Sequence, residues 1–338
     1  MTITERDWVQ LEGDWHANGI TVRRIYPLST QEIFIAVCHP DGERMLTIKA
    51  NTQAVADILR RIRSLPRTRG LEMQFTRLDH DNGELRVVLT DANLQEVFSP
   101  LVSDIAAAAA TELSVTDAVL AAVGRFDHWR QLLHDLGDSG LTPQTRRGLY
   151  GELLFLREHL LTTLPADDAV GSWTGPTGAH QDFQLSDAAF EIKTSSGKQP
   201  QTLMISSERE LDNAGTGRLI LAYYSLDERQ GGSGQSLNTI VDWTRDLVTA
   251  PAPRQALDDL LIRVGYLSRH RDQYDEPRYT VRNRCFWQVT GDFPRIIEAD
   301  LRSGVGNCEY RISIAGLEKY ILTTEDVLST VMGGGPDE

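Results

Sequence analysis

The segment from His180 to Ser195 constrains the fold of this chain more than any other stretch. Apolar and polar residues alternate on both sides of Ser186-Asp187, a pattern typical of two short strands folded back on each other. The apolar positions share one face, which we predict to be the core side: Phe183, Leu185, Phe190 and Ile192.

The register of this hairpin brings two acidic side chains together. With a two-residue loop, counting outward from Leu185 opposite Ala188 puts Asp182 opposite Glu191 on the polar face. Lys193 lies two residues further along that face. Like charges opposed across a strand pair destabilise a sheet unless a cation lies between them. Ser-Asp is a weaker hairpin signal than Asn-Gly, and a longer loop would shift the pairing.

These residue types suit the hydrolysis of a phosphodiester. Magnesium prefers oxygen ligands and usually takes one or two protein carboxylates, so Asp182 and Glu191 could hold it together with waters that supply the nucleophile. Lys193 could orient or deprotonate such a water and could offset charge on the phosphate.

Asp182, followed by Glu191-Ile192-Lys193, resembles the PD-(D/E)xK signature of restriction-endonuclease-like nucleases. The triplet alone is a weak signal because any amphipathic strand can contain it. A preceding helix around Glu152 and the turn Trp173-Thr174-Gly175-Pro176 make it more specific. These parts stand in the same order in an uncharacterised bacterial family of PD-(D/E)xK proteins encoded near restriction and phage-defence genes. The resemblance covers about residues 145–226. It implies a mixed sheet covered by helices, a DNA substrate, and Mg²⁺ as cofactor with Mn²⁺ able to replace it.

Glu152 lies on a helix that we predict from about Thr145 to Leu164. Its position follows the i, i+3, i+4, i+7 spacing of the apolar residues, so its carboxylate points from the apolar face. A carboxylate on a buried face must be paired, coordinated or protonated. Two interpretations stay open: an ion pair with an arginine in the core, or, as the resemblance implies, an additional active-site carboxylate that holds the metal or its water.

Composition is that of an ordinary globular chain, with 41% hydrophobic and 24% charged residues. No apolar run approaches a membrane span and the N-terminus lacks the pattern of a signal peptide, so we expect a cytoplasmic protein without membrane association. The three cysteines, Cys38, Cys285 and Cys308, form no Cys-x-x-Cys pair. They argue against a zinc site and a disulfide framework.

We predict an α/β chain of the α+β type in four segments. Residues 1–138 form an N-terminal α+β domain of strands followed by helices, 139–234 a restriction-endonuclease-like core, 235–332 a C-terminal helical and strand extension packed on the core, and 333–338 a disordered tail. Leu219 to Tyr224 is apolar on both faces and predicts a central strand. Ser207 and Glu210 form a capping-box pattern that predicts a helix start.

The net charge of -14 is unfavourable for binding nucleic acid, so local basic groups matter more than the sum. We expect possible substrate contacts beside the hairpin and in an arginine-rich segment: His180, Ser195, Arg269, Arg271, Arg282 and Arg284. A solvated surface or an interface with a partner subunit explains the arginines equally well. His180 could be only a hairpin residue, and Ser195 could satisfy turn backbone groups.

Our functional hypothesis is a magnesium-dependent DNA endonuclease in bacterial restriction or phage defence. Asp182 and Glu191 would bind the metal, Lys193 would position or activate the water, and Glu152 would complete the acidic cluster. Partner proteins of a defence system are expected, and a homodimer suits the cutting of two strands. Two alternatives remain: a catalytically silent subunit that binds DNA or a partner, and a structural ion-pair network in which Lys193 neutralises both acids.

Overall fold

The computed structural model describes residues 3–14, 17–62, 65–197 and 202–333. It divides the chain into two units, Met1–Gly137 and Asp138–Glu338. Apart from Gly333, the predicted tail lies outside the described residues. In the described part of the chain, no helix combines the length and apolar character needed to cross a bilayer.

Unit 1 contains a six-stranded antiparallel sheet in the order β1-β2-β3-β6-β5-β4. Its strands are β1 (Gly19–Ile25), β2 (Ile33–His39), β3 (Glu43–Asn51), β4 (Arg67–Thr68), β5 (Leu71–Arg77) and β6 (Asn82–Leu89). Its helices are α1 (Glu5–Gly13), α2 (Thr52–Ile62), α3 (Gln95–Thr111) and α4 (Val115–Leu136). The sequence did not predict α1, which begins with a capping box in which Thr4 N donates to Asp7 Oδ2 over 2.7 Å.

Unit 2 contains a five-stranded sheet in the order β13-β11-β10-β8-β7 and a separate pair, β12-β9. Its strands are β7 (Phe183–Gln184), β8 (Ala188–Ser195), β9 (Thr202–Ile205), β10 (Arg218–Arg229), β11 (Arg278–Gln288), β12 (Tyr310–Ser313) and β13 (Ile321–Leu322). Its helices are α5 (Pro143–Phe155), α6 (Ala166–Gly171), α7 (Leu237–Leu247), α8 (Pro251–Arg263) and α9 (Thr324–Val331).

The five-stranded sheet is mixed, as the sequence predicted. β8 and β10 run parallel, whereas β7, β11 and β13 each run antiparallel to a neighbour. Residues 219–224 of β10 are all buried and lie between β8 and β11, which confirms the expected central strand. The predicted boundary after residue 234 falls between β10 and β11, two neighbours in this sheet.

Helix α5 packs on one face of the sheet. Thr142 caps its first turn by accepting from Thr145 N, and Pro143 at the first helical position needs no hydrogen-bond partner for its nitrogen. The Phe155 ring lies 5.3 Å from that of Phe183 and 5.0 Å from that of Phe190. After Phe155 the chain continues as a π-helical turn to Leu160, so the predicted helix is somewhat shorter than expected.

The opposite face of the sheet carries a second apolar core. Ala189 of β8 and Leu219, Leu221 and Tyr223 of β10 pack there with Trp287 of β11. Residues of the β12-β9 pair cover this core: Leu203, Ile205 and Ile312. β8 is therefore buried on both faces, and Glu191, which follows Ala189 on the second face, is buried with it.

The helix predicted from Ser207 is wrong. Residues 206–216 form turns and irregular loops, without a helix. Ser207 Oγ accepts from Arg209 N over 3.3 Å, as in a short polar turn. Glu210 Oε1 accepts from Ser206 N over 3.1 Å, while its other oxygen binds a residue far along the chain, which overrides the local capping pattern.

Gly151 allows α5 to lie close to β8, because a Cβ atom there would lie 2.3 Å from Thr194 Cγ2. We expect Gly151→Ala to lower the free energy of unfolding by about 1–3 kcal/mol through overpacking, despite the better helix propensity of alanine. Gly148→Ala is the matched control on the same helix, because the nearest atom to its Cβ lies 4.0 Å away. Urea unfolding measures both, and equal stability of the two variants would contradict this packing account.

Candidate active site

The hairpin formed by β7 and β8 has the predicted register. Phe183 pairs with Phe190 and Gln184 with Ala189. Leu185 N donates to Ala188 O over 2.7 Å, which leaves Ser186 and Asp187 as the loop. Continuing this register outward places Asp182 opposite Glu191.

Asp182 is held by the turn that follows Trp173. The backbone nitrogens of Thr174 and Gly175 both donate to Asp182 O, over 2.9 and 3.0 Å. A Cβ atom at Gly175 would lie 3.0 Å from Asp182 Oδ1, so glycine leaves room for the carboxylate. Asp182 Oδ2 accepts from Ile192 N on the neighbouring strand over 2.7 Å. The sequence resemblance identified this turn, and its close fit around Asp182 gives the pattern a physical cause.

Lys193 lies between two carboxylates. Its Nζ is 2.7 Å from Glu191 Oε1 and 2.7 Å from Glu210 Oε2. Burial alone would lower the pKa of Lys193, but the two carboxylates outweigh it and hold that pKa above its usual range. Lys193 is therefore an ammonium ion in the protein without metal or substrate.

Glu152 reaches the site from α5. Its Oε2 accepts from the indole Nε1 of Trp173 over 2.8 Å, so the hydrogen-bond partner is a tryptophan rather than the arginine considered above. The pKa of Glu152 rises to about 8, first because of burial and then because of the negative charge of Asp182. Trp173, which is buried, is thus a supporting residue that the sequence did not assign to Glu152.

Asp182 and Glu191 also have raised pKa values. Burial raises the pKa of Asp182 to about 6, although the Ile192 amide and Lys193 act in the opposite direction. Burial, followed by the charge of Asp182, raises the pKa of Glu191 well above its usual range. Burial and neighbouring negative charge raise the pKa of a carboxyl group where nearby positive charge does not compensate for them. This cluster of four acids around Lys193 is therefore short of positive charge.

The donor set suits a hard cation. Among residues 3–14, 17–62, 65–197 and 202–333, no group of three or more His, Cys, Asp or Glu side chains is arranged to hold a metal ion. A site with one or two protein carboxylates and waters, the kind that magnesium commonly uses, needs fewer protein ligands. Asp182 and Glu191 offer oxygen ligands of this kind, and the shortage of positive charge between them fits a divalent ion.

Glu210 is the site residue that the sequence did not reveal. Ser207-Glu208-Arg209-Glu210 matched a capping box, and that local interpretation concealed a partner 17 residues away on β8. Its usable signal was position, because Glu210 lies on the turn after β9, the strand that follows Lys193. Sequence alone does not show which acids near a lysine face it.

The residues predicted to contact substrate lie in different surroundings. His180 is exposed and lines a cavity of about 530 Å³, and Ser195 ends β8. Arg282 donates to the backbone oxygens of Ser196 and Gly197, over 3.2 and 2.9 Å, directly after that strand.

The other three arginines have polar partners, which for Arg271 and Arg284 lie on other elements. Arg284 pairs with Glu158 over 2.9 Å, and Arg271 pairs with Asp242. Arg269 Nε lies 3.2 Å from His270 Nε2. Ser195 lies two residues from Lys193 on β8, and Arg282 contacts the backbone that follows this strand. The substrate role of all six residues stays a prediction.

The raised pKa of Glu152 predicts a pH-dependent loss of stability. Below the ordinary pKa of 4.5, Glu152 is protonated in both the folded and the unfolded protein and does not lower the free energy of unfolding. As the pH rises, its ionisation in the unfolded protein lowers that free energy, and the loss is complete above about 8. We expect Glu152→Gln, which can still accept from Trp173, to gain about 1–3 kcal/mol over wild type between pH 5 and pH 8.5 with EDTA present. The expected gain is smaller than the full pKa shift would give, because Glu152 is partly exposed and solvent screens its charge.

Urea unfolding at several pH values measures this difference, with the exposed Glu298→Gln as control. A difference between Glu152→Gln and wild type that stays constant from pH 5 to pH 8.5 would show that Glu152 ionises freely, which contradicts the description of the cluster.

Comparison with known protein families agrees with this geometry. A family model described as "Putative PD-(D/E)XK family member, (DUF4420)" matches residues 4–315. Neither the curated proteins nor the solved structures gave a match. The match covers most of the chain, including the hairpin, α5 and the turn after Trp173. The chain therefore belongs to the PD-(D/E)XK family DUF4420.

Proposed function

We propose that this protein is a metal-dependent endonuclease that hydrolyses phosphodiester bonds in DNA. One observation carries the proposal: Asp182, Glu191 and Glu152 form a mostly buried acidic cluster beside Lys193 that is short of positive charge. Strongly shifted pKa values in a group of acids with a specific charged partner are typical of functional sites. Membership of a nuclease-like family supports the same conclusion.

In this proposal Asp182 and Glu191 hold Mg²⁺, with Mn²⁺ as a substitute, and Glu152 binds the metal or a water next to it. The ion would supply the positive charge that stabilises a phosphate during attack. Asp182 is fixed for this task by Ile192 N and by the turn at Gly175, so its carboxylate needs little reorganisation.

Lys193 serves as a cation in this site. Because the neighbouring carboxylates hold its pKa above the usual range, it donates hydrogen bonds rather than removing protons. Its ammonium can orient the attacking water and offset the charge that develops on the phosphate. Of the two roles predicted from the sequence, positioning the water is thus favoured over deprotonating it.

The setting that we propose is bacterial restriction or phage defence, with DNA as substrate and other proteins of such a system as partners. Arg282 supports a DNA path past Ser195, because it lies against the backbone that follows β8. Cutting both strands of a duplex needs two active sites or two events, which a homodimer would provide.

A second candidate is a silent subunit that uses the same fold to bind DNA or a partner protein. Charge pairing favours it: Arg271 and Arg284 are neutralised by Asp242 and Glu158, and the net charge is -14. Each of these ion pairs removes positive charge that could bind phosphate, so a partner would supply the affinity for DNA.

Cleavage of DNA separates the two candidates. We expect wild type to nick or linearise supercoiled plasmid with Mg²⁺ or Mn²⁺, and Asp182→Asn or Lys193→Ala to lower the rate by about 10²-fold or more. Asp187→Asn, on the exposed loop of the same hairpin, is the matched control and should cleave like wild type.

Cleavage that survives both substitutions would exclude this site as the source of activity. Absence of cleavage by wild type on plasmid and single-stranded DNA, with either metal, would favour the silent subunit.

Metal binding should also be visible without substrate. Because the ion binds the folded state, saturating Mg²⁺ at about 100 times its dissociation constant should raise the free energy of unfolding by about 2.7 kcal/mol. Glu191→Gln should remove most of this increase, whereas Asp187→Asn should keep it. Thermal or urea unfolding with and without Mg²⁺ measures the effect, and a wild type indifferent to both metals would favour the structural ion-pair network.

A further inference from the structure

Lys193 has more carboxylate partners than its proposed role requires. Glu191 and Glu210 both lie 2.7 Å from Nζ, and the side chains of all three residues are at most 18% exposed. Ionising a second buried acid carries a desolvation cost that a single lysine offsets only in part. Because Glu191 already neutralises Lys193, Glu210 must have another role in the site.

The two carboxylates are anchored differently. Glu191 lies on β8 opposite Asp182, where the proposed metal binds. Glu210 lies on the turn after β9, and its second oxygen accepts from Ser206 N over 3.1 Å. Gln181, which is buried beside Asp182, ties this turn to the hairpin by donating to Arg209 O over 2.9 Å. Glu210 thus keeps its position without any contribution from Glu191.

A divalent ion bound to Glu191 would weaken the ion pair between Glu191 and Lys193. The ion competes for the same carboxylate and repels the ammonium, and this repulsion is strong in a buried site. A lysine has a flexible four-carbon stem, so an ammonium without a partner can swing away from the site. Glu210 is the carboxylate that would still hold it.

We propose that Glu210 is a positioning residue that keeps Lys193 in the site when the Glu191 carboxylate binds a divalent cation. Its consequence for catalysis rests on the proposed function. The contact between Glu210 and Lys193 can be tested without substrate. We expect Glu210 to hold the Lys193 ammonium in the site even when Glu191 does not contact it.

The sequence offers a direct way to observe Lys193, because the chain has only four lysines: Lys49, Lys193, Lys198 and Lys319. Lysine-selective ¹⁵N and ¹³C labelling of the full chain therefore gives four side-chain signals, and Lys193→Arg assigns one of them. An ammonium held in a buried ion pair exchanges its protons slowly and gives a sharp ¹⁵Nζ signal. Glu191→Gln imitates the loss of that carboxylate to a metal.

We expect the Lys193 signal to persist in wild type, in Glu191→Gln and in Glu210→Gln, and to disappear in the double variant. In a second arm, saturating Mg²⁺ should leave the signal in wild type and abolish it in Glu210→Gln. Loss of the signal in Glu191→Gln alone, or its persistence in the folded double variant, would overturn the proposal. The Mg²⁺ arm keeps the test decisive if a Glu191 variant does not fold.

Cleavage kinetics then separate this proposal from a purely structural role. Because Glu210 acts through Lys193, Glu210→Gln should lower kcat by about 10-fold in wild type but by less than about 2-fold in the Lys193→Ala background. The Mg²⁺ concentration for half-maximal activity should stay within about 3-fold, and Glu210→Asp should recover part of the rate. The matched control is Glu298→Gln, which removes a partner of Arg209 on the same turn and should leave kcat unchanged.

The outcomes distinguish the two claims. If wild type cleaves and Glu210→Gln cleaves equally fast, the positioning role is wrong and the nuclease stands. Additive losses in the two backgrounds would also contradict the role of Glu210 through Lys193. If wild type cleaves no DNA, the proposed function fails, while the Lys193 signals still decide whether Glu210 suffices as its anchor.

Discussion

The rest of unit 2 is arranged around one unfavourable interaction: four carboxylates share a single ammonium in a mostly buried site. Ionised acids in such surroundings cost free energy unless they are compensated, and the raised pKa values of Asp182, Glu152 and Glu191 report that cost. A folded protein keeps such a cluster only where the surrounding structure forces it. Three features hold these acids together: the hairpin register, the close approach of α5 at Gly151 and the turn at Gly175.

The hairpin register and the turn at Gly175 are local, and this is why the sequence and the family resemblance revealed them. The close approach at Gly151 depends on Thr194 of a distant strand and was not predicted. Alternation around Ser186-Asp187 fixed the register because a shift by one residue would expose Phe183 and Phe190. The family resemblance added the turn after Trp173. The apolar stretch from Leu219 to Tyr224 predicted a central strand because both of its faces needed cover. Each of these conclusions depended on neighbours within a few residues or on a single facing strand.

The parts that the sequence did not reveal depend on distant partners. Glu210 has the spacing of a helix cap from Ser207, and only the fold shows that Lys193 takes its carboxylate instead. Likewise, the arginine-rich segment looked basic, but Asp242 neutralises Arg271 from α7 and Glu158 neutralises Arg284 from the π-helical turn after α5. A charge cluster along a sequence therefore overstates the positive potential of the folded surface.

We propose that Asp182 and Glu191 bind a divalent ion that supplies the positive charge missing between them. A crystal structure with Mn²⁺, with data collected at the manganese absorption edge, tests it most directly. We expect an anomalous peak about 2 Å from carboxylate oxygens of both residues, with Lys193 still paired with Glu210. Ordered density at Asp182 and Glu191 without an anomalous peak, and with Glu191 still on Lys193, would contradict it.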